Sequence, residues 1–176
     1  MAAVDIRGLS ADSRTVQPGY LFAALAGGEA DGRRFIGQAI ENGAAAILTD
    51  QPMVAGVPVV TSDNPRRDLA FMAARFFEVQ PPHIAAVTGT NGKTSTAIFL
   101  RQLCAAAGHK SAAMGTLGVE LSGDAEGLNA ALDHTTPEPV RLHAALRDLV
   151  AHGVTHLAME ASSHGLAQYR LDAVNL

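Results

Sequence analysis

The run Val87-Thr88-Gly89-Thr90-Asn91-Gly92-Lys93-Thr94-Ser95 orders glycines, a lysine and hydroxyls as a triphosphate site requires. Glycines let the backbone curl so that successive N–H groups point inward. A helix starting there adds roughly half a positive charge. Lys93 adds a full charge, and the Thr94 hydroxyl is placed to ligate Mg²⁺. The common phosphate loop, G-x-x-x-x-G-K-[ST], needs glycine at position 87, which is valine here. The loop is therefore a shortened variant, and Gly89, Thr90, Asn91, Gly92, Lys93, Thr94 and Ser95 are its candidate nucleotide contacts.

A second cluster follows Glu160: Ser162, Ser163, His164, Gln168 and Arg170 place hydroxyls, an imidazole, an amide and a guanidinium close together. Ser162 and His164 do not make a hydrolase, because neither G-x-S-x-G nor an evident acid partner accompanies them. Arg170 has the geometry to grip a carboxylate or diphosphate with two parallel hydrogen bonds.

These groups need a scaffold, and the apolar patterning supplies one. Residues 84–87 read as a strand entering the loop, and residues 97–107 as a helix leaving it. Residues 111–114 and 117–121 read as further strands. Glu138-Pro139 opens a helix to about residue 152, and residues 155–159 form a buried strand that delivers Glu160 at its carboxyl end. Ligands of open parallel sheets sit beyond those ends. Glu160 and the Gly89 loop therefore converge, and Glu160 joins Thr94 as a candidate Mg²⁺ ligand.

Upstream, residues 20–25, 45–48 and 57–60 read as strands and 35–41 as a helix closed by Asn42-Gly43. Asp63-Asn64-Pro65 is a polar cap with proline at the first helical position. Leu69, Met72, Ala73 and Phe76 follow on one face of that helix. Gln80-Pro81-Pro82 cannot continue it. The fold class is α/β: a small N-terminal α/β domain over 1–80, a linker at 81–82, and the first part of a parallel-sheet, phosphate-loop domain over 83–176.

Composition excludes other classes. The 176 residues are 48% hydrophobic and 17% charged, enough to bury a core. Net charge is −4 and the 13 lysines and arginines are scattered, so nucleic acid is not expected as a partner. The lone Cys104, in an apolar helical stretch, reads as a small core residue. The sequence shows no secretion pattern and no apolar run near the roughly 18 residues of a membrane span, which points to the cytoplasm.

The loop T-G-T-N-G-K-T resembles the ATP loop of the Mur ligases, which build the peptide stem of bacterial peptidoglycan. Glu160-Ala161-Ser162-Ser163-His164-Gly165-Leu166, with Gln168 and Arg170, resembles a turn of the family's MurE type, as does His134-Thr135-Thr136-Pro137. Asp12-Ser13-Arg14, the run from Ala30 to Phe35, and Asp63-Asn64-Pro65-Arg66 resemble its N-terminal domain. Asp63-Asn64-Pro65-Arg66 also matches the tetrapeptide by which some members recognise diaminopimelate. That motif belongs to the C-terminal domain, and here the position before the loop favours helix capping.

The resemblance implies an ATP- and Mg²⁺-dependent ligase that joins a diamino acid, meso-diaminopimelate or L-lysine, to UDP-MurNAc-L-Ala-D-Glu through an acyl phosphate. It implies that Ser13, Gly28, Glu29 and Ala30 contact the uridine end, and that Thr135, Thr136, Ser162, Gln168 and Arg170 contact the muramoyl peptide. It also implies that Lys93 is the catalytic residue, acting on the β and γ phosphates, and that Thr94 and Glu160 ligate Mg²⁺. Family members continue with an Asp-His pair, a carbamylated lysine and a C-terminal domain. The expectation is a fragment that does not form amides alone; the alternatives are a non-catalytic UDP-sugar and ATP-binding remnant, or an unrelated phosphate-loop ATPase.

Overall fold

A computed structural model describes residues 4–27, 31–122 and 135–176. The chain forms two compact units, Met1–Phe76 and Phe77–Leu176, where the sequence suggests a boundary at Gln80.

In the first unit, β1 (Gly8–Ser10), β2 (Tyr20–Ala23), β3 (Ala46–Thr49) and β4 (Val59–Thr61) form a parallel sheet in chain order. Period-two alternation sends Phe22, Ala24 and Ile47 to a core shared with Ile36 and Ala39 of α1 (Ile36–Glu41). A 3₁₀ turn, Gly32–Phe35, precedes α1, so the helix starts one residue later than its apolar spacing suggests.

Helix α2 (Pro65–Phe77) begins at the expected cap: Asn64 Oδ1 accepts the Arg67 N–H at 3.1 Å. Its Pro65, Leu69, Ala70 and Ala73 are buried, whereas Phe76, in the last turn, is exposed. Asn64→Ala removes the cap and is expected to cost about 1 kcal/mol, read as a lower urea midpoint with an unchanged m-value.

In the second unit, β5 (His83–Val87), β6 (Ser111–Gly115), β7 (Gly118–Leu121) and β8 (His156–Glu160) form a sheet of order β5-β8-β6-β7. Strands β5, β8 and β6 are parallel, and β7 runs antiparallel to β6. Ile84, Ala112, Met114, Leu157 and Met159 share one core with Leu142, Leu146 and Leu149 of α4 (Pro139–Ala151). On the other side Ala113 and Ala158 pack with Ala97, Ile98 and Leu100 of α3 (Lys93–Ala106). Small alanines there let the helix backbone lie close to the sheet.

Only Ala97 of α3 is fully buried, and Cys104, expected in the core, is half-buried and unbridged. Helix α3 shows the sheet a narrow stripe, and Phe99 and Leu103 lie outside it, exposed. The Gln80 side chain reaches the chain's last turn, donating to Ala173 O at 2.9 Å and accepting from Asn175 N–H at 3.1 Å.

Candidate functional site

The loop between β5 and α3 has the backbone its glycines allow. Gly89 has φ 145° and Gly92 has φ 78°, both in the region that L side chains rarely adopt. Gly92 is the N-cap, and the first helical bond runs from Thr96 N–H to Gly92 O at 2.9 Å. The Lys93, Thr94 and Ser95 N–H groups therefore stand ahead of the helical ladder, at its positive end. Lys93 Nζ donates to Gly89 O at 2.7 Å and approaches Thr90 O at 3.5 Å. The ammonium is thus folded back over the loop, where a phosphate would meet it.

Glu160 closes the site from the end of β8. It is 2% exposed, and the hydrogen bonds its carboxylate accepts come from neutral donors. Thr94 Oγ1 donates to Oε1 at 2.8 Å, Thr116 N–H donates to Oε1 at 3.0 Å, and Thr116 Oγ1 lies 3.3 Å from Oε2. The sheet register explains the meeting: Val87, the last residue of β5, pairs with Glu160, the last of β8. Room for the carboxylate comes from Gly115, where a Cβ would stand 2.1 Å from Glu160 Oε1.

A buried anion whose partners are neutral, beside a hydroxyl on the phosphate loop, suits a divalent cation. Thr94 and Glu160 therefore fit Mg²⁺. Among the described residues there is no cluster of three or more histidine, cysteine or acidic side chains that could hold a metal by itself. The phosphates and water would have to complete the coordination.

Thr135 and Thr136 stand beside the same strand end. Thr136, 1% exposed, donates its hydroxyl to Glu160 O at 3.0 Å and accepts the Ser162 N–H at 2.9 Å. Ser162 caps α5 (Ser163–Ala167), its Oγ accepting the Gly165 N–H at 3.0 Å. A Cβ on Gly165 would lie 2.7 Å from the Thr136 side chain, so glycine keeps the helix and the threonine in register.

Arg170 is buried. Its guanidinium donates to Thr136 O at 2.6 Å and to Gln168 Oε1 at 3.2 Å, and it pairs with Glu138 at 2.5 Å. Thus Thr136, Ser162, Gln168 and Arg170 do come together, and they do so as partners of one another.

In the first unit, Ser13 is buried and donates its hydroxyl to Gln38 Oε1 at 2.7 Å, while its carbonyl accepts from Asn42. Gly28, Glu29 and Ala30 lie outside the described residues. The chain after them is fastened by Arg33, which pairs with Asp31 at 2.7 Å and Asp50 at 3.3 Å. The hydrogen bond from Arg33 holds the Asp31 carboxyl below the usual carboxylate range.

Sequence reasoning passed over Thr116, Gly115 and Glu138. The first two were accessible to it: Thr116-Leu117 joins two strands at the carboxyl end of β6, the side on which ligands bind. Glu138 was read only as a helix start.

Comparison with known proteins agrees with this architecture. Residues 87–176 match the Mur ligase middle domain, and residues 5–87 match the Mur ligase family, catalytic domain. The UDP-N-acetylmuramoyl-L-alanyl-D-glutamate–2,6-diaminopimelate ligase of Bradyrhizobium diazoefficiens is 51% identical over 177 residues, covering 100% of this chain and 36% of that protein. The Brucella melitensis protein of the same name is 51% identical over 176 residues, covering 98% of this chain and 35% of its own length. A solved structure of a ligase with that name superposes with a TM-score of 0.79 at 33% identity, covering 96% of this chain and 34% of that one. A ligase from Thermotoga maritima, solved with ADP, has a TM-score of 0.64 at 22% identity and shows the shared fold alone. The chain thus spans about a third of the length of the relatives it matches.

Proposed function

This chain belongs to the Mur ligase family, and on that premise we propose that it is the UDP-substrate- and ATP-binding part of a ligase. The ligase adds diaminopimelate to UDP-MurNAc-L-Ala-D-Glu. The observation that carries the reading is the 2.8 Å contact between Thr94 on the phosphate loop and Glu160 on the neighbouring strand. It joins the phosphate loop to a buried carboxylate, and this pair would hold Mg²⁺, which would supply charge neutralisation to the phosphates.

The reaction follows from the weakness of a carboxylate as an acyl donor at neutral pH. The substrate's D-Glu carboxylate oxygen attacks the γ-phosphorus of ATP, ADP leaves, and an acyl phosphate forms. The amine of diaminopimelate attacks that carbonyl, inorganic phosphate leaves, and the nitrogen loses a proton. The chain's own groups position reactants and balance charge. The N–H groups of the loop and of the start of α3 cradle the phosphates, and Lys93 serves the β and γ oxygens. Thr94 and Glu160 would hold Mg²⁺, which neutralises phosphate charge when bound.

We infer that Thr135 serves the muramoyl peptide, and that Thr136, Ser162, Gln168 and Arg170, bonded to one another, hold the strand end against which the peptide would lie. Ser13 serves the uridine end with Gly28, Glu29 and Ala30. Its hydroxyl proton is committed to Gln38, so Ser13 meets a ligand through the oxygen's remaining acceptor capacity. The amine-binding part belongs to the remaining two thirds of the relatives' length. A UDP-linked substrate and ATP support a cytoplasmic reading; separately, none of the described helices is long and apolar enough to cross a membrane.

Isothermal titration of this chain tests the reading. ATP is expected to bind only with Mg²⁺ present, and UDP-MurNAc-L-Ala-D-Glu to bind in a separate titration, with no phosphate released in the presence of both. ATP binding that ignores Mg²⁺, combined with no response to the UDP substrate, would overturn this assignment of the site.

A further inference from the structure

We propose that Thr116 is a positioning residue whose hydroxyl ties the Glu160 carboxylate to Thr135, so that one turn sets the metal side and the peptide side of the site together. The proposal rests on the reading above, in which Glu160 serves Mg²⁺ and Thr135 the muramoyl peptide.

Thr116 and Leu117 form the two-residue connection between β6 and β7. Strand β6 lies beside β8, with Met114 level with Met159. The next residues of β6 therefore pass over the end of β8, where Glu160 stands. Gly115 has no side chain to offer and no room for one. Thr116 is the first residue of the turn that can present a functional group to the carboxylate.

It presents two. The backbone N–H donates to Oε1 at 3.0 Å, a bond any residue except proline would make. The hydroxyl lies 3.3 Å from Oε2 and 3.0 Å from Thr135 Oγ1. One hydroxyl carries one proton, and an ionised carboxylate only accepts. With that proton on Oε2, the Thr116 oxygen accepts from Thr135. Both donors of the relay Thr135 to Thr116 to Glu160 then point toward the anion, the arrangement a negative charge favours. Thr94 completes the set by donating to Oε1. A shift of Glu160 toward a cation thus pulls on Thr135 through a single side chain. Thr136 is held to the same strand end by separate bonds, to Glu160 O and Ser162 N–H, which do not depend on Thr116.

Two variants isolate the hydroxyl. Thr116→Val keeps the shape and the backbone N–H, and Thr116→Ser keeps the hydroxyl. In the ligand-free chain, backbone ¹⁵N relaxation is expected to show the Thr135 amide losing order in Thr116→Val and keeping wild-type order in Thr116→Ser, with Thr136 unchanged in both. Titration of Mg·ATP is expected to weaken about three- to tenfold in Thr116→Val and by less than about twofold in Thr116→Ser. Saturating UDP-MurNAc-L-Ala-D-Glu should alter Mg·ATP affinity in the wild type and cease to do so in Thr116→Val. Wild-type order at Thr135 in the valine variant overturns the proposal, as does equal loss in both variants. Should the wild type bind no nucleotide, the ligase reading fails while the relaxation data still decide the Thr116 tie.

Discussion

Lys93→Ala is expected to weaken Mg·ATP binding about ten- to a hundredfold and to leave UDP-MurNAc-L-Ala-D-Glu affinity within about twofold of wild type. The ammonium is the only full positive charge in the stretch from Val87 to Ser95. It now sits on Gly89 O and Thr90 O, two weakly competing carbonyls. A phosphate oxygen offers it a charge-assisted bond worth about 1.5–3 kcal/mol. Alanine removes that bond, while its high helix propensity keeps α3 starting at the same residue.

The N–H cradle, Thr94 and Glu160 remain, so binding is weakened and not abolished. Thr135, Thr136 and Arg170 are held by bonds that do not involve Lys93. Lys93→Arg should not restore affinity, because a planar fork does not replace a compact ammonium inside a tight loop. Parallel titrations of the two ligands measure the effect. Equal loss of both would show that the phosphate and peptide sides are not separable.

Local patterns made much of the site readable. The loop, its glycines and the helix after it depend on neighbours within a few residues, and α3 starts at Lys93 itself. Helix α4 starts after Glu138 and ends at Ala151, close to its sequence limits, because Pro139 and Gly153 mark both ends. Glu160 falls where the strand pattern ends, and the parallel register with β5 brings it to the loop.

Features that rest on distant partners were less readable. Arg170 looked like a group reaching for a ligand, and its main counter-charge, Glu138, lies 32 positions earlier in the chain. Nothing local to Arg170 announces that pairing. Strand direction is likewise invisible to apolar periodicity. The two-residue link at Thr116-Leu117 nevertheless required β7 to run antiparallel, since a parallel crossover takes a dozen or more residues. Cys104 looked buried because its helix is apolar on several sides. Which stripe meets the sheet depends on the alanines of β6 and β8.

His143→Leu is expected to stabilise the second unit by about 2 kcal/mol at neutral pH and by more in acid. His143, on α4 beside Leu142, is 1% exposed, and neither ring nitrogen has a hydrogen-bond partner among the described residues. A neutral imidazole keeps one N–H donor and one acceptor, and burying both unpaired costs about 1–3 kcal/mol for each group. Leucine fills similar space without that cost, and part of the gain is lost to imperfect repacking.

Burial also pushes the His143 pKa down from 6.5 to about 4. The unfolded chain therefore takes up a proton more readily than the folded one between those values. This shift adds no penalty above pH 6.5, a growing one as pH falls from 6.5 toward 4, and a constant one below. The full span is worth about 3 kcal/mol. Urea unfolding from pH 7.5 to 4.5 should show a falling midpoint in the wild type and a flatter profile in His143→Leu. Parallel profiles would mean that the ring is hydrated or paired when folded, and that acid acts on the unit through other groups.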